Sequence, residues 1–312
     1  MWDWGFEKKN LRYRITDCRL RWNYFEEPNL ILQPTRHRAI PVLVTVLICL
    51  ALSLHVSGAQ PRIVVKDLSA HFPGVSGAFV LCDSAGTECL KYNPEQCARR
   101  FSPASTFKIL NSLIGLETGV IPDKNFVIPW DSVVRSMPEW NRDHDLQSAI
   151  KYSVVWYYQE LARRVGEKRM LEFVEKAGYG NMDISGGIDR FWLGSSLSIS
   201  ADEQVNFLKR LLRGDLPFSR RSMDLVNGII PSEIVDSCVV HGKTGLADQA
   251  GQAIGWYVGY VEKPGNTLFF ALNMTATGPD DTPYQLVQRR KETALAILRE
   301  LGVVRTQGIP TR

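Results

Sequence analysis

Apolar residues recur along this chain with two different periods, and the change between them divides it. Over residues 107–117 they fall almost all round a helical wheel (Phe107, Ile109, Leu110, Leu113, Ile114, Leu116) and stop before Gly119, which predicts a fully buried helix. Residues 152–178 keep a helical period, with a break near Gly166 and a second helix on Met170, Phe173 and Val174 that ends at Gly178. After residue 235 the period becomes that of strands. The candidates are 237–243, 251–262 and 267–274, the last two joined by a hairpin turn at Lys263-Pro264-Gly265-Asn266. Residues 77–81 and 90–92 read as two earlier strands on either side of a short polar turn. Residues 283–301 close the pattern as an amphipathic helix: Pro283 sits in its first turn, Ala294, Ile297, Leu298 and Leu301 form its core face, and Gly302 ends it. The predicted fold class is α+β: an antiparallel sheet made from both chain ends, flanked by terminal helices and joined to a helical subdomain. No internal repeat is visible.

The front of the chain follows another rule. Residues 39–54 are an apolar run preceded by Arg36 and Arg38 and followed by Ser57-Gly58-Ala59, so 36–59 reads as a secretory signal peptide. The run falls short of the ~20 apolar residues that span a bilayer comfortably, and an uncleaved anchor is the competing reading. Residues 1–35, with Trp2, Trp4 and Trp22 among scattered charges, have no period and read as upstream sequence from a misassigned start codon. The expected domain is therefore 60–312, periplasmic or secreted after cleavage, with no stable membrane span in the mature form.

Composition adds little to this and excludes one class. At 312 residues, 45% hydrophobic and 22% charged, the chain has ample material for a core. Its formal charge of +4 comes mostly from residues 1–59, which hold 8 Lys and Arg against 5 Asp and Glu. The remaining 29 against 28 leaves no basic tract for a nucleic acid. Four of the six cysteines fall in the exported part. Cys82 and Cys89 flank the turn between the first two strands, where a disulfide is expected in an oxidising compartment. Cys97 and Cys238 read as small buried apolar residues, and neither has metal-ligand spacing with a histidine.

Candidate chemistry begins at Pro103-Ala104-Ser105-Thr106-Phe107-Lys108. A serine hydroxyl needs a base to take its proton, and an ammonium cannot serve until it is neutral or altered. At i and i+3 on a helix the two side chains share a face. Ser-x-x-Lys alone is a weak signal, satisfied equally by an N-cap serine and a solvated lysine. Lys108 departs from that picture because it lies in the most apolar helix of the chain, where a charged amine is costly. Lys243-Thr244-Gly245 ends a strand candidate, where a cation and a hydroxyl can meet an anion while glycine permits close approach; alone it would read as a strand-end turn. Ser153-Val154-Val155 lies between, at what is otherwise an ordinary helix start.

Ser-x-x-Lys, Ser-x-Val and Lys-Thr-Gly, in this order, resemble the penicillin-recognising serine acyltransferases, and in detail the class D (oxacillinase-type) β-lactamases. The likeness runs from about Gly77 to the terminal helix. It includes Tyr179-Gly180-Asn181, Phe191-Trp192-Leu193, His241-Gly242-Lys243-Thr244-Gly245 and Gly255-Trp256-Tyr257-Val258-Gly259. The resemblance implies hydrolysis of penicillin-type β-lactams through an acyl-enzyme on Ser105. Val155 stands where class A has an asparagine, which implies a dry pocket around Lys108, N-carboxylated by carbon dioxide or bicarbonate to serve as general base, with no metal and no other cofactor. Trp192 would donate its indole N–H to that group, or else be a plain core aromatic. Ser105 and Leu246 would supply the oxyanion-hole N–H groups, and Ser153 a proton relay. Lys243, Thr244, Gly245 and an arginine would bind the substrate carboxylate. Arg289 and Arg290 are adjacent, and the family pattern counted back from Gly302 favours Arg290. The alternatives are a D,D-peptidase or a β-lactam sensor domain, both with a long-lived acyl-serine; Val155 and Trp192 speak against the first, and the single apolar run against the second. Met137, Trp140 and Trp156 read equally as pocket or core.

Overall fold

The computed structural model describes residues 61–194, 196–236, 238–276 and 283–304. The predicted leader 36–59, the segment 1–35 before it and Ser237 lie outside the described residues.

Seven strands form one sheet in the order β1-β3-β2-β7-β6-β5-β4. They are β1 (Arg62–Val65), β2 (Val75–Asp83), β3 (Glu88–Tyr92), β4 (Ser232–Val235), β5 (Cys238–Gln249), β6 (Gln252–Lys263) and β7 (Asn266–Ala276). Early and late strands meet in the middle, because β2 pairs with β7 along its whole length, Val75 opposite Ala276 to Asp83 opposite Leu268. All neighbours are antiparallel except β1 and β3, a short parallel edge pair that the sequence pattern did not announce.

Alternation along β6 builds a core on each side of the sheet. Trp256, Val258 and Tyr260 face the helical subdomain, while Tyr257 and Val261 join Leu286, Ala294, Ile297 and Leu298 of the terminal helix, α8 (Pro283–Glu300). The subdomain contains α2 (Lys108–Glu117), α3 (Leu146–Lys151), α4 (Val155–Val165), α5 (Glu167–Ala177), α6 (Ala201–Arg213) and α7 (Arg220–Asn227), preceded in the chain by the short α1 (Pro94–Ala98). Residues 109–114 are all buried, as an apolar surface on every side requires. Gly166 and Gly178 adopt φ of +81° and +60° and end α4 and α5, where the sequence placed the breaks.

Two boundaries differ from expectation. The helix expected to start at 152 starts at Val155, because Ser153 adopts φ +55° and Val154 is extended. The strand expected to end at Lys243 continues to Gln249, so Lys243-Thr244-Gly245 lies in the middle of β5. The ladder with β6 continues to Gln249 opposite Gln252, and the chain reverses at Ala250 and Gly251, both with positive φ, the geometry of a two-residue hairpin loop.

Cys82 and Cys89 face each other across the β2–β3 pair and form the disulfide, with Cα atoms 4.2 Å apart. Cys97 is buried, its thiol pushed up to about 12 by desolvation, whereas Cys238 is only half-buried.

Candidate active site

Ser105 lies on a 3₁₀ turn, Ala104–Phe107, that leads directly into α2, and Ala104 before it adopts φ +50°. The turn is held from inside: Thr106 Oγ1 donates to the Pro103 carbonyl at 2.7 Å and accepts from Gln204 Nε2 of α6 at 2.7 Å. Phe107 stacks on Trp192 with centroids 5.3 Å apart and meets the edges of Tyr179 and Phe191. These contacts leave Ser105 half-buried while its neighbours are buried.

Lys108, the first residue of α2, is 0% exposed. Its Nζ lies 2.6 Å from Ser105 Oγ and 5.5 Å from the centre of the Tyr158 ring. Among the described residues no carboxylate lies within 4.0 Å of it. Desolvation first, and then the charge of Lys243, hold its amine well below the usual lysine range. Behind it, Ser112 Oγ donates to the Lys108 carbonyl at 2.7 Å and lies 2.9 Å from the Tyr158 hydroxyl. Neither Ser112 nor Tyr158 was singled out from the sequence. The available signal was spacing, four residues after Lys108 and three after Val155 on the same helix faces.

The second wall comes from the loop between α3 and α4. Ser153 Oγ accepts a hydrogen bond from Lys243 Nζ at 3.0 Å, joining the middle motif to β5. Val155, half-buried, opens α4 one turn before Tyr158. Trp140 Nε1 donates to the Tyr152 carbonyl, fixing the backbone beside Ser153, and Trp156 Nε1 donates to the Trp140 carbonyl and so holds Trp140 in turn. Trp156 is core, whereas Met137 is exposed. Trp192 is wholly buried, and its indole N–H meets no acceptor among the described residues.

The third wall is β5. Lys243 is 2% exposed, and burial, followed by the charge of Arg290, lowers its amine to about 7. Gly245 lets this strand lie against the serine turn, since a Cβ there would come within 3.0 Å of the Pro103 carbonyl and 3.2 Å of Trp256 Cβ. Arg290 of α8 donates to the Gly245 carbonyl at 2.6 Å and is lowered to about 10 by burial. Arg289 turns away and donates to Pro73 O. Thr244 and Leu246 are half-buried on the same strand. β4 pairs with β5 only over residues 238–241, and Gly242 N–H donates to Pro231 O. Unbroken alternation from Gly242 turns the N–H of Leu246 to that same outer edge, where β4 no longer covers it.

Among the described residues no cluster of three or more His, Cys, Asp and Glu is placed to hold a metal, and no helix is long and apolar enough to cross a membrane. A half-buried serine hydrogen-bonded to a buried lysine, near a second lysine–serine pair, is an arrangement for acyl transfer.

Comparison with known proteins gives the same direction. The family model for the penicillin binding protein transpeptidase domain matches residues 77–298. The chain is 40% identical over 242 residues to β-lactamase OXA-19 of Pseudomonas aeruginosa, covering 77% of this chain and 88% of that one. It is 43% identical over 211 residues to β-lactamase OXA-48 of Klebsiella pneumoniae, covering 67% and 80%. The solved class D β-lactamase from Sebaldella termitidis superposes with a TM-score of 0.74 at 32% identity, covering 78% of this chain and 100% of that one. The chain belongs to the penicillin-binding transpeptidase-domain family and, within it, to the class D serine β-lactamases.

Proposed function

We propose that this chain is a secreted or periplasmic hydrolase that opens the β-lactam ring of penicillin-type antibiotics, with residues 60–312 as its catalytic domain after removal of 36–59. The observation that carries the reading is a fully buried amine, Lys108, 2.6 Å from a serine hydroxyl and without a carboxylate among the described residues to keep it charged.

In acylation Ser105 Oγ gives up its proton toward the Lys108 side chain and attacks the lactam carbonyl carbon. The ring C–N bond breaks, and the leaving nitrogen takes a proton relayed by Ser153, which Lys243 holds at 3.0 Å. The N–H groups of Ser105 and Leu246 receive the developing oxyanion, a role supported for Leu246 by its place on the open edge of β5. Lys243, Thr244, Gly245 and Arg290 bind the substrate carboxylate. In deacylation water replaces the serine oxygen on the acyl carbon and Ser105 recovers its proton.

The same pocket suits carboxylation of Lys108 by dissolved carbon dioxide. A neutral amine is the reactive form, the Tyr158 ring borders it with apolar surface, and the Trp192 N–H is a buried donor without an acceptor among the described residues. A carbamate there would supply the general base for both half-reactions.

Purified protein mixed with a chromogenic cephalosporin and bicarbonate should show rapid multiple turnover. A single stoichiometric burst, with a lasting adduct on Ser105 by mass spectrometry, would refute hydrolysis and assign a sensor or D,D-peptidase.

A further inference from the structure

Where β4 leaves β5, the sheet opens into a cavity of about 190 Å³ whose lining includes Lys151, Ser232, Glu233, Lys243, Tyr257 and Lys291, with Thr244 beside them. It shares Lys243 and Thr244 with the carboxylate-binding edge but lies to the side of it nearer β4. Gly242 cannot fill it, and the Tyr257 ring occupies the place where a Cβ would stand, 2.5 Å away.

The charges around this cavity do not balance. Two ammonium groups, Lys151 and Lys291, and the buried Lys243 amine meet one carboxylate, and that carboxylate, Glu233, is committed through Oε2 to Lys291 at 2.7 Å. Among the described residues no carboxylate lies within 4.0 Å of Lys151, whose Nζ rests 5.4 Å from the centre of the Tyr152 ring, or of Lys243, which turns to Ser153 Oγ and the Thr244 carbonyl. Ser232 and Thr244 add hydroxyl groups, which can donate to an anion, while the Tyr257 hydroxyl is engaged with Glu233. A concave wall with an excess positive charge beside the Lys243 amine and with hydroxyl donors, open at a strand edge, favours a negatively charged group of a few heavy atoms.

We infer that this cavity is a second anion subsite, which takes a carboxylate, sulfonate or phosphate carried on the ring side of the β-lactam, beyond its own carboxylate. The inference rests on the proposed hydrolysis and names the substrates it favours: β-lactams with two negative charges on the ring side. Lys151 is its specificity-determining residue, because it is an exposed cation of the cavity with no acidic partner among the described residues.

The test uses two cephalosporins that differ only in a free acid or its methyl ester on the ring substituent. The acid should be preferred by about tenfold in kcat/KM, expressed in KM, as a charge-assisted contact predicts. Lys151→Ala should lose most of that preference while turning over the ester as before, Lys151→Arg should keep it, and Glu233→Gln should enlarge it by removing the opposing charge. Equal handling of acid and ester, or a preference untouched by Lys151→Ala and Glu233→Gln, overturns the subsite. Absence of turnover on both compounds would instead refute the hydrolysis. The same ratio read as Kd by calorimetry on Ser105→Ala protein tests the subsite independently. Inorganic phosphate should bind that protein more weakly than the acid; tighter binding would make a free anion the occupant and overturn the substrate assignment.

Discussion

Lys243 gives the structure a measurable cost. Burial, and then the neighbouring charge of Arg290, bring its amine from 10.5 to about 7. Below about pH 7 both the folded and the unfolded chain hold this proton, and folding bears the full penalty of enclosing an ammonium. Between about 7 and 10.5 the unfolded chain holds a proton that the folded one releases, so stability rises with pH by about 1.4 kcal/mol per pH unit. Over the whole window the gain is on the order of 5 kcal/mol. Lys243→Met keeps the side-chain length and deletes the titration. In urea unfolding followed by tryptophan fluorescence, the difference between the two proteins should move in favour of the wild type by about 3 kcal/mol from about pH 7 to about pH 9.5. Lys108 titrates in both, lowered chiefly by desolvation common to the two proteins, so only the smaller effect of the Lys243 charge on it enters the difference. A gap that stays constant across this range would refute the reading of Lys243 as a buried amine with a lowered affinity for protons.

Arg290→Ala should raise KM about tenfold or more for a carboxylate-bearing β-lactam, and Arg289→Ala should leave it within about twofold; steady-state kinetics on both variants separates them. Lys108→Ala should abolish turnover, whereas Val155→Asp should retain activity that depends more strongly on added bicarbonate, read by titrating bicarbonate into degassed buffer. The double variant Cys82→Ser, Cys89→Ser should lose about 2–3 kcal/mol in urea unfolding, as expected for a cross-link closing a short loop, with kcat unchanged because the bridge lies on the β2–β3 hairpin and not in the site.

What could be read from the sequence was whatever rests on period and composition. The buried helix, the hairpin cysteines, the breaks at Gly166 and Gly178 and the terminal helix all follow from side-chain spacing. The burial of Lys108 follows too, since residues 107–117 are apolar almost all round. Harder to read were features decided by backbone conformation. Gly245 looks like a strand terminator in sequence, yet it is a mid-strand glycine, selected because the serine turn approaches within 3.0 Å of where its Cβ would be. Ser153 sits in an apolar run that suggests continuous helix, and only its positive φ turns it toward Lys243. The parallel pairing of β1 with β3 carries no pattern of its own, because four residues are too few to show one.

The choice between Arg289 and Arg290 shows what a sequence of adjacent like charges conceals. On a helix, neighbours point about 100° apart, so one of the two must miss the sheet, and the identity of that one depends on how α8 is rotated. The apolar face of Ala294, Ile297 and Leu298 sets that rotation. It brings Arg290 against Gly245 and sends Arg289 to Pro73, and it thereby completes a line of cations without an acid among them. Arg290 lowers Lys243, and Lys243 lowers Lys108. Under the proposed function a substrate carboxylate enters at the Arg290 end of this line. It favours the ammonium form of Lys243, and that charge keeps the Lys108 amine neutral, and so able to accept, before Ser105 passes its proton to it.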